Sequence, residues 1–144
     1  MIVYFDTSAL VTRYLRETGS DKVVALLNEP DHFFGSSVIT KVEISAAFQK
    51  AVRMDIVSSA MATEIWDDFL NHWQTFTRLH VTAGIIERAS DIAWKHGLRG
   101  YDSLHLAAAS LWQETLGVTV AFAVFDRDLR LACLKAGMNP WPAE

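Results

Sequence analysis

The stretch Ile2-Val3-Tyr4-Phe5-Asp6-Thr7-Ser8 sets four apolar residues in an unbroken run, stops them on an acid, and follows the acid with two hydroxyl residues. An apolar run that does not alternate with polar residues marks a strand covered on both faces, the condition of a strand inside a parallel sheet. The theme recurs downstream. His32-Phe33-Phe34-Gly35-Ser36 reads as a second short strand and Phe76 to Val81 as a third. Val118 to Phe125 is the strongest strand signal of the chain and again ends on an acid, Asp126. Between these runs the spacing is helical, over Ser8 to Leu15, Asp21 to Leu27, Thr40 to Met54, Val57 to Trp73, Ile85 to His96, Asp102 to Thr115 and Leu129 to Ala136. Gly97, Gly117 and Gly137 stand where such helices stop. The Asn139-Pro140-Trp141-Pro142 tail has no period and reads as a loop. Strands alternating with helices predict an α/β fold with a central parallel sheet and helices on both faces.

The 144 residues contain no repeat, low-complexity tract or Gly/Ser linker, so residues 1–144 read as a single domain. A chain of this length buries roughly 70% of its unfolded surface and needs no disulfide to hold a core. Apolar residues at 51% and charged residues at 21% exclude a disordered chain. A mean hydropathy of +0.15 leaves room for a buried partner surface. The net charge of −4 excludes a broadly basic nucleic-acid wrapper, though not a local basic groove. The single cysteine, Cys133, has no internal partner and no zinc-ligand spacing around it. A reducing, cytoplasmic setting is the expectation. The apolar run from Met1 to Phe5 is too short for a signal peptide or a membrane span, so no membrane association is expected.

In open parallel sheets, function sits beyond the carboxyl ends of the strands. Asp6 and Asp126 follow strands, Glu43 lies in the first turn of a helix that follows one, and Asp102 opens the most apolar helix. A purely structural role is available to each, because acids at helix N-termini cap free N–H groups and favour the helix dipole, at about 0.5–2 kcal/mol apiece. Thr40-Lys41-Val42-Glu43 even spells a capping box. Yet Asp6 has Thr7 and Ser8 beside it and Asp102 has Ser103, so hydroxyls stand ready to cap. Four carboxylates gathered at one sheet edge repel each other unless a cation neutralises them. A set of oxygen ligands without His or Cys suits Mg2+ or Mn2+ rather than zinc, and that ion points to phosphate chemistry. Lys41, Arg13, Arg16, Arg99 and Arg127 flank the acids; Arg13, Arg99 and Arg127 are the candidates for holding a polyanion such as RNA.

Other features read as structural. His105, one turn after Asp102 in an apolar helix, reads as a hydrogen-bonded structural histidine rather than a general acid. His32, His72, His80 and His96 show no catalytic or metal spacing. The Trp66, Phe69, Trp73 stripe fits either core or a partner surface. Cys133 fits a small buried apolar site.

Asp6-Thr7-Ser8-Ala9-Leu10 after its apolar run resembles the opening motif of the PIN-domain nucleases. Ser37-Val38-Ile39-Thr40-Lys41-Val42-Glu43-Ile44 is similar to their second motif, and Gly100-Tyr101-Asp102-Ser103-Leu104-His105-Leu106-Ala107-Ala108 to their third, the most specific of the set. Phe125-Asp126-Arg127-Asp128-Leu129 resembles the fourth. Order, spacing and length agree over the whole chain, and a stand-alone chain of this size most resembles the VapC-type toxins of toxin–antitoxin pairs. The resemblance implies a three-layer α/β/α sandwich and an Mg2+- or Mn2+-dependent endoribonuclease that leaves 5′-phosphate and 3′-hydroxyl ends. It also implies a homodimer, silenced by a VapB-type antitoxin whose C-terminal segment approaches the acidic pocket. Carried over by motif, Asp6, Glu43, Asp102 and Asp126 become the catalytic and metal-binding quartet. The family often has Thr or Ser shortly before the fourth acid, where this chain has Ala123-Val124-Phe125, and Asp128 is a second candidate; Asp126 is preferred for its place at the strand end.

Three other functions compete. A phosphoacceptor signalling domain would need an acceptor Asp after a central strand and a Lys after a later one, and Thr82-Ala83-Gly84 follows the third strand here. A binding module without catalysis would not call for the four carboxylates. A housekeeping RNA- or DNA-processing PIN nuclease, without an antitoxin, is the alternative within the family.

Overall fold

The computed structural model describes every residue, Met1–Glu144. Strands form at Ile2–Phe5 (β1), Phe33–Ser37 (β2), Thr77–Leu79 (β3), Val120–Ala123 (β4) and Asn139–Trp141 (β5). Helices form at Thr7–Val11 (α1), Ser20–Leu27 (α2), Thr40–Arg53 (α3), Ser59–Trp73 (α4), Ala83–His96 (α5), Gly100–Leu116 (α6) and Arg127–Lys135 (α7). All strand pairs are parallel, in the order β3-β2-β1-β4-β5. The helices cover both faces of the sheet, so the fold is the three-layer α/β/α sandwich expected. No helix is long and apolar enough to cross a membrane.

The unbroken apolar run of β1 has a direct structural cause. Side chains alternate between faces along a strand, and here both faces are cores. Val3 and Phe5 join Ala121 and Ala123 in a core closed by α1 to α4. Tyr4 joins Val120 and Phe122 in a second core closed by α5 to α7. From β1 the chain steps through β2 to β3 on one side, then returns to β4 and β5 on the other. The reversal point lies between β1 and β4, where such sheets open a crevice at their carboxyl end. The backbone N–H of Asp6 donates to the carbonyl of Ala123 at 3.0 Å, carrying the β1–β4 pairing one residue further, to the lip of that crevice.

Several boundaries depart from the sequence reading. The helix expected over Ser8 to Leu15 ends at Val11, because the Thr12 hydroxyl bonds back to the Ala9 carbonyl at 2.7 Å and the next residues form tighter turns. β4 ends at Ala123, two residues short of Phe125, and begins at Val120 rather than Val118. α6 starts at Gly100, so Asp102 lies within its first turn. The tail read as a loop forms β5, an edge strand in which Pro140 is tolerated. Arg130 anchors the C-terminal end of β5, donating to the carbonyls of Val124 at 2.9 Å and Pro142 at 2.8 Å. The glycine stops hold: Gly97 and Gly117 are left-handed C-caps, and Gly137 has a φ of 79°.

The aromatic stripe is core. Phe69 and Trp73 are buried, and Trp66 packs partly covered at their edge. Rings run from Phe48 through Trp66, Phe69 and Trp73 to Phe76, with neighbouring centroids 5.4–6.3 Å apart. Cys133 is fully buried, and burial pushes its thiol up to about 12. Gly35 in β2 provides the seat for the Trp112 indole: a Cβ there would stand 2.6 Å from the ring and 3.1 Å from the Thr77 carbonyl oxygen. Gly35→Ala is therefore expected to lower the urea midpoint, by about 1–3 kcal/mol of stability, as overpacked cores do. An unshifted midpoint would show that the indole yields freely.

Candidate functional site

At the carboxyl end of the sheet the strand termini open onto a cleft of about 910 Å³. Asp6, Thr7 and Ser8 line it from β1 and α1, Glu43 and Ala47 from α3, Arg99 to Asp102 and Leu104 from α6, and Asp126 from the start of α7. All four carboxylates expected from the sequence thus face one cavity, brought there by three different strand-to-helix turns and the entry to α6. Their side chains do not close into a ready-made group of three metal ligands.

The capping interpretation applies to one of the four. Asp126 is the N-cap of α7 and accepts from the Leu129 N–H at 2.9 Å. Asp6 occupies the N-cap position of α1 without making a side-chain cap bond. Nor does the capping box at Thr40 form, since α3 is entered from Ile39 without a side-chain cap. The hydroxyls expected to cap do other work: Ser8 donates to Asp6 Oδ2, and Ser103 donates to the Arg99 carbonyl at 3.0 Å.

Environment divides the carboxylates. Asp6 is 4% exposed. Burial raises its pKa and the charges of Asp102 and Glu43 add to that, while His105 and Ser8 pull the other way; the balance is upward. Glu43 is half-buried. Burial again pulls its pKa up, but the His105 hydrogen bond and charge and the Thr7 hydroxyl outweigh it and hold the carboxyl below its ordinary range. Thr7 donates to Glu43 Oε1 at 2.7 Å, and His105 Nε2 lies 2.7 Å from the same oxygen. Asp102 accepts from Arg99 Nε at 3.0 Å in an open pair at the cleft mouth. The guanidinium also feels the charges of Asp126 and Asp6.

Of the three arginines expected to hold a polyanion, only Arg99 lines the cleft. Arg13 lies over the Tyr14 ring, 5.4 Å from its centroid, and Arg127 is exposed outside the cleft. Asp128 lines a separate shallow depression with His96 and Lys135, which leaves Asp126 as the fourth acid of this cleft. Glu17 is a fifth carboxylate in the cleft lining. It sits on the turn before Gly19, whose φ of 97° and contact with the Phe125 ring fix that loop; nothing in its sequence spacing marks it. Tyr101, exposed beside Arg99, was also not anticipated.

The donor set tests whether a cation fits. Every acidic donor lining the cleft is a carboxylate oxygen, and the most buried one is under repulsion from two others. That is the chemistry of a hard divalent ion such as Mg2+ or Mn2+.

The PIN domain model matches residues 3–133. Ribonuclease VapC45 of Mycobacterium tuberculosis (strain CDC 1551 / Oshkosh) is 36% identical over 146 residues, covering 99% of this chain and 96% of its own. Ribonuclease VapC49 of the same species (strain ATCC 25618 / H37Rv) matches with the same identity and coverage. Among solved structures, FitAcB from Neisseria gonorrhoeae superposes with a TM-score of 0.64 at 18% identity, over 99% of this chain and 98% of that one. PAE2754 from Pyrobaculum aerophilum does so with 0.59 at 22%, over 92% and 87%. At these identities the structures speak for the fold.

The raised pKa of Asp6 makes a stability prediction. Between its ordinary value of 3.8 and its raised folded value, the folded state holds more protons than the unfolded chain, so stability falls as pH rises through that window. Asp6→Asn escapes this penalty. In EDTA at pH 7 the variant is expected to melt above the wild type, with the gap narrowing towards pH 4 in thermal melts. A variant that melts lower at pH 7 would mean that the Asp6 charge is already compensated by its neighbours.

Proposed function

The chain belongs to the PIN-domain family, and on that premise we propose that it is an Mg2+- or Mn2+-dependent endoribonuclease acting as the toxin of a toxin–antitoxin pair. The observation that carries the reading is the cleft at the β1–β4 reversal point, lined by Asp6, Glu43, Asp102 and Asp126. The names of the two relatives, both VapC ribonucleases, support RNA as the substrate and the toxin as the biological role.

Asp6, Glu43, Asp102 and Asp126 would hold the cation. When bound, Mg2+ or Mn2+ would supply Lewis-acid chemistry, activating water and offsetting charge that develops on the phosphate. The residues of the chain supply the rest. Asp6, buried at the end of the central strand, is the carboxylate most withdrawn from solvent. Glu43, kept ionised by its two hydrogen-bond donors, remains an acceptor throughout and can orient water or take its proton. Arg99, exposed at the mouth, can release Asp102 and clamp a phosphate of the incoming strand, since a guanidinium matches phosphate geometry. Val11, Ala47 and Leu104, the aliphatic part of the lining, limit bulk water around the reacting group.

The role as a toxin requires a VapB-type antitoxin, and a homodimer is the form proposed. Apolar side chains left exposed, among them Trp94, Phe33 and Val42, supply surface for such partners.

The purified protein is expected to cut defined RNAs with Mg2+ or Mn2+ and to stop in EDTA. Asp102→Asn should reduce the rate by about 100-fold or more, since even groups behind metal ligands are worth about 10–100-fold. Cleavage that survives EDTA, or an unimpaired Asp102→Asn, would overturn the metal-nuclease reading. Expression of the chain alone should arrest growth and Asp6→Asn should relieve the arrest; a harmless wild type that still cleaves RNA would favour a processing nuclease without an antitoxin.

A further inference from the structure

Beneath the cleft floor, Tyr4, His105 and Thr7 join into one hydrogen-bonded chain that ends on Glu43, and Thr40 and Ser36 beside it lead on to the Phe5 carbonyl. Tyr4 is fully buried and His105 is 1% exposed. Both ring nitrogens of His105 are engaged: Nδ1 lies 2.8 Å from the Tyr4 hydroxyl, and Nε2 lies 2.7 Å from Glu43 Oε1 and 3.0 Å from Thr7 Oγ1.

The protons in this chain can be assigned. Ser36 donates to the Phe5 carbonyl at 2.7 Å, so the contact between Ser36 and Thr40, also 2.7 Å, takes its proton from Thr40. Thr7 gives its proton to Glu43 Oε1. Burial pushes the Tyr4 phenol well above its ordinary pKa, so it keeps its proton, and its hydroxyl lies against His105 Nδ1. Nε2 then carries the hydrogen that Glu43 Oε1 receives, while Nδ1 faces the Tyr4 hydroxyl. Glu43 Oε1 receives two donors and Oε2 receives none from the protein.

Packing does not demand this arrangement. Phe and Leu at positions 4 and 105 would fill the same volume without desolvating a phenol and an imidazole, and buried polar groups are favourable only when every partner is in place. The chain also crosses the sheet. It ties β1 and α6, which share one core, to α3, which belongs to the other.

We propose that His105 is a positioning residue: the Tyr4 hydroxyl fixes the ring through Nδ1, and the Nε2–H pins Oε1 of Glu43 so that Oε2 alone is offered to the divalent cation in the cleft. The inference rests on the reading of Glu43 as a working residue of that cleft. It assigns a use to the one histidine of the apolar helix and to the phenol buried in the central strand.

The test uses the full chain. With ring-15N-labelled histidine, His105 should show a protonated Nε2, in EDTA and with Mg2+ alike. A bare Nε2 overturns the proposal. Tyr4→Phe is nearly isosteric, and its melting point checks that it folds. It should weaken Mn2+ binding by roughly 10-fold, read by electron paramagnetic resonance, and lower kcat on RNA with KM unchanged. His105→Gln keeps a donor and an acceptor on one planar group and should recover most of the Mn2+ affinity that His105→Leu loses. Wild-type Mn2+ affinity in both Tyr4→Phe and His105→Leu would overturn the positioning role while leaving the nuclease reading intact. Absent RNA cleavage by a wild type that shows a protonated Nε2 and the Mn2+ response would strike the nuclease reading instead.

Discussion

The constraint on which the structure turns is a carboxylate buried at the end of its central strand. Asp6 is 4% exposed, and no cation of the chain is bonded to it. A charge withdrawn from water must be met by hydrogen bonds, by opposite charge or by protonation. Around Asp6 the fold supplies the first through Ser8 and part of the second through His105, while Asp102 and Glu43 work against both. The site is therefore held in an electrostatically unfavourable state by the two cores on either face of β1, which fix the Asp6 backbone through its N–H bond to Ala123. Strain kept at a working site by a rigid scaffold is a familiar trade between stability and activity.

The other carboxylates differ from Asp6 because their surroundings differ. Glu43 receives two donors on one oxygen and stays ionised, whereas Asp6 is pushed towards protonation. Asp102 lies under an exposed guanidinium. Asp126 spends one oxygen on the α7 N-terminus, so for this residue capping and lining the cleft are compatible roles. Carboxylates whose environments drive their proton affinities apart are suited to separate tasks in one reaction, which fits a division between fixed cation ligands and an orienting group better than four equivalent ligands.

The sheet was legible because its signal is local. A continuous apolar run such as Ile2–Phe5 states that both faces are covered, and the acids after such runs then fall at the edge that parallel topology makes functional. β5 was not legible: three residues with a proline carry no period, and they pair only because β4 leaves an edge to be covered. Distant arrangements were equally silent. Arg13 and Arg127 also flank acids in sequence, yet Arg13 lies past the end of α1 over the Tyr14 ring and Arg127 is exposed outside the cleft. Glu17 reaches the cleft through a loop fixed by Gly19 and Phe125, a contact between residues more than a hundred positions apart. His105 was read as a hydrogen-bonded structural histidine; its partners come from β1, α1 and α3, which no spacing within α6 could reveal.

The charge balance gains meaning from this placement. Five carboxylates and one guanidinium line the cleft, an acidic excess as large as the −4 of the whole chain. The remaining surface is balanced, so repulsion of an anionic polymer would arise mainly from the cleft itself. Surface charges beyond about 8 Å are screened at physiological salt, and charge in a concave site acts chiefly on what enters it. A divalent ion in the cleft would cancel half of that excess where it matters, and Arg99, freed from Asp102, would then face a phosphate rather than a carboxylate. Under the proposed function, an acidic protein handles RNA without a basic surface because the same ion that would serve the chemistry also opens the cleft to its substrate.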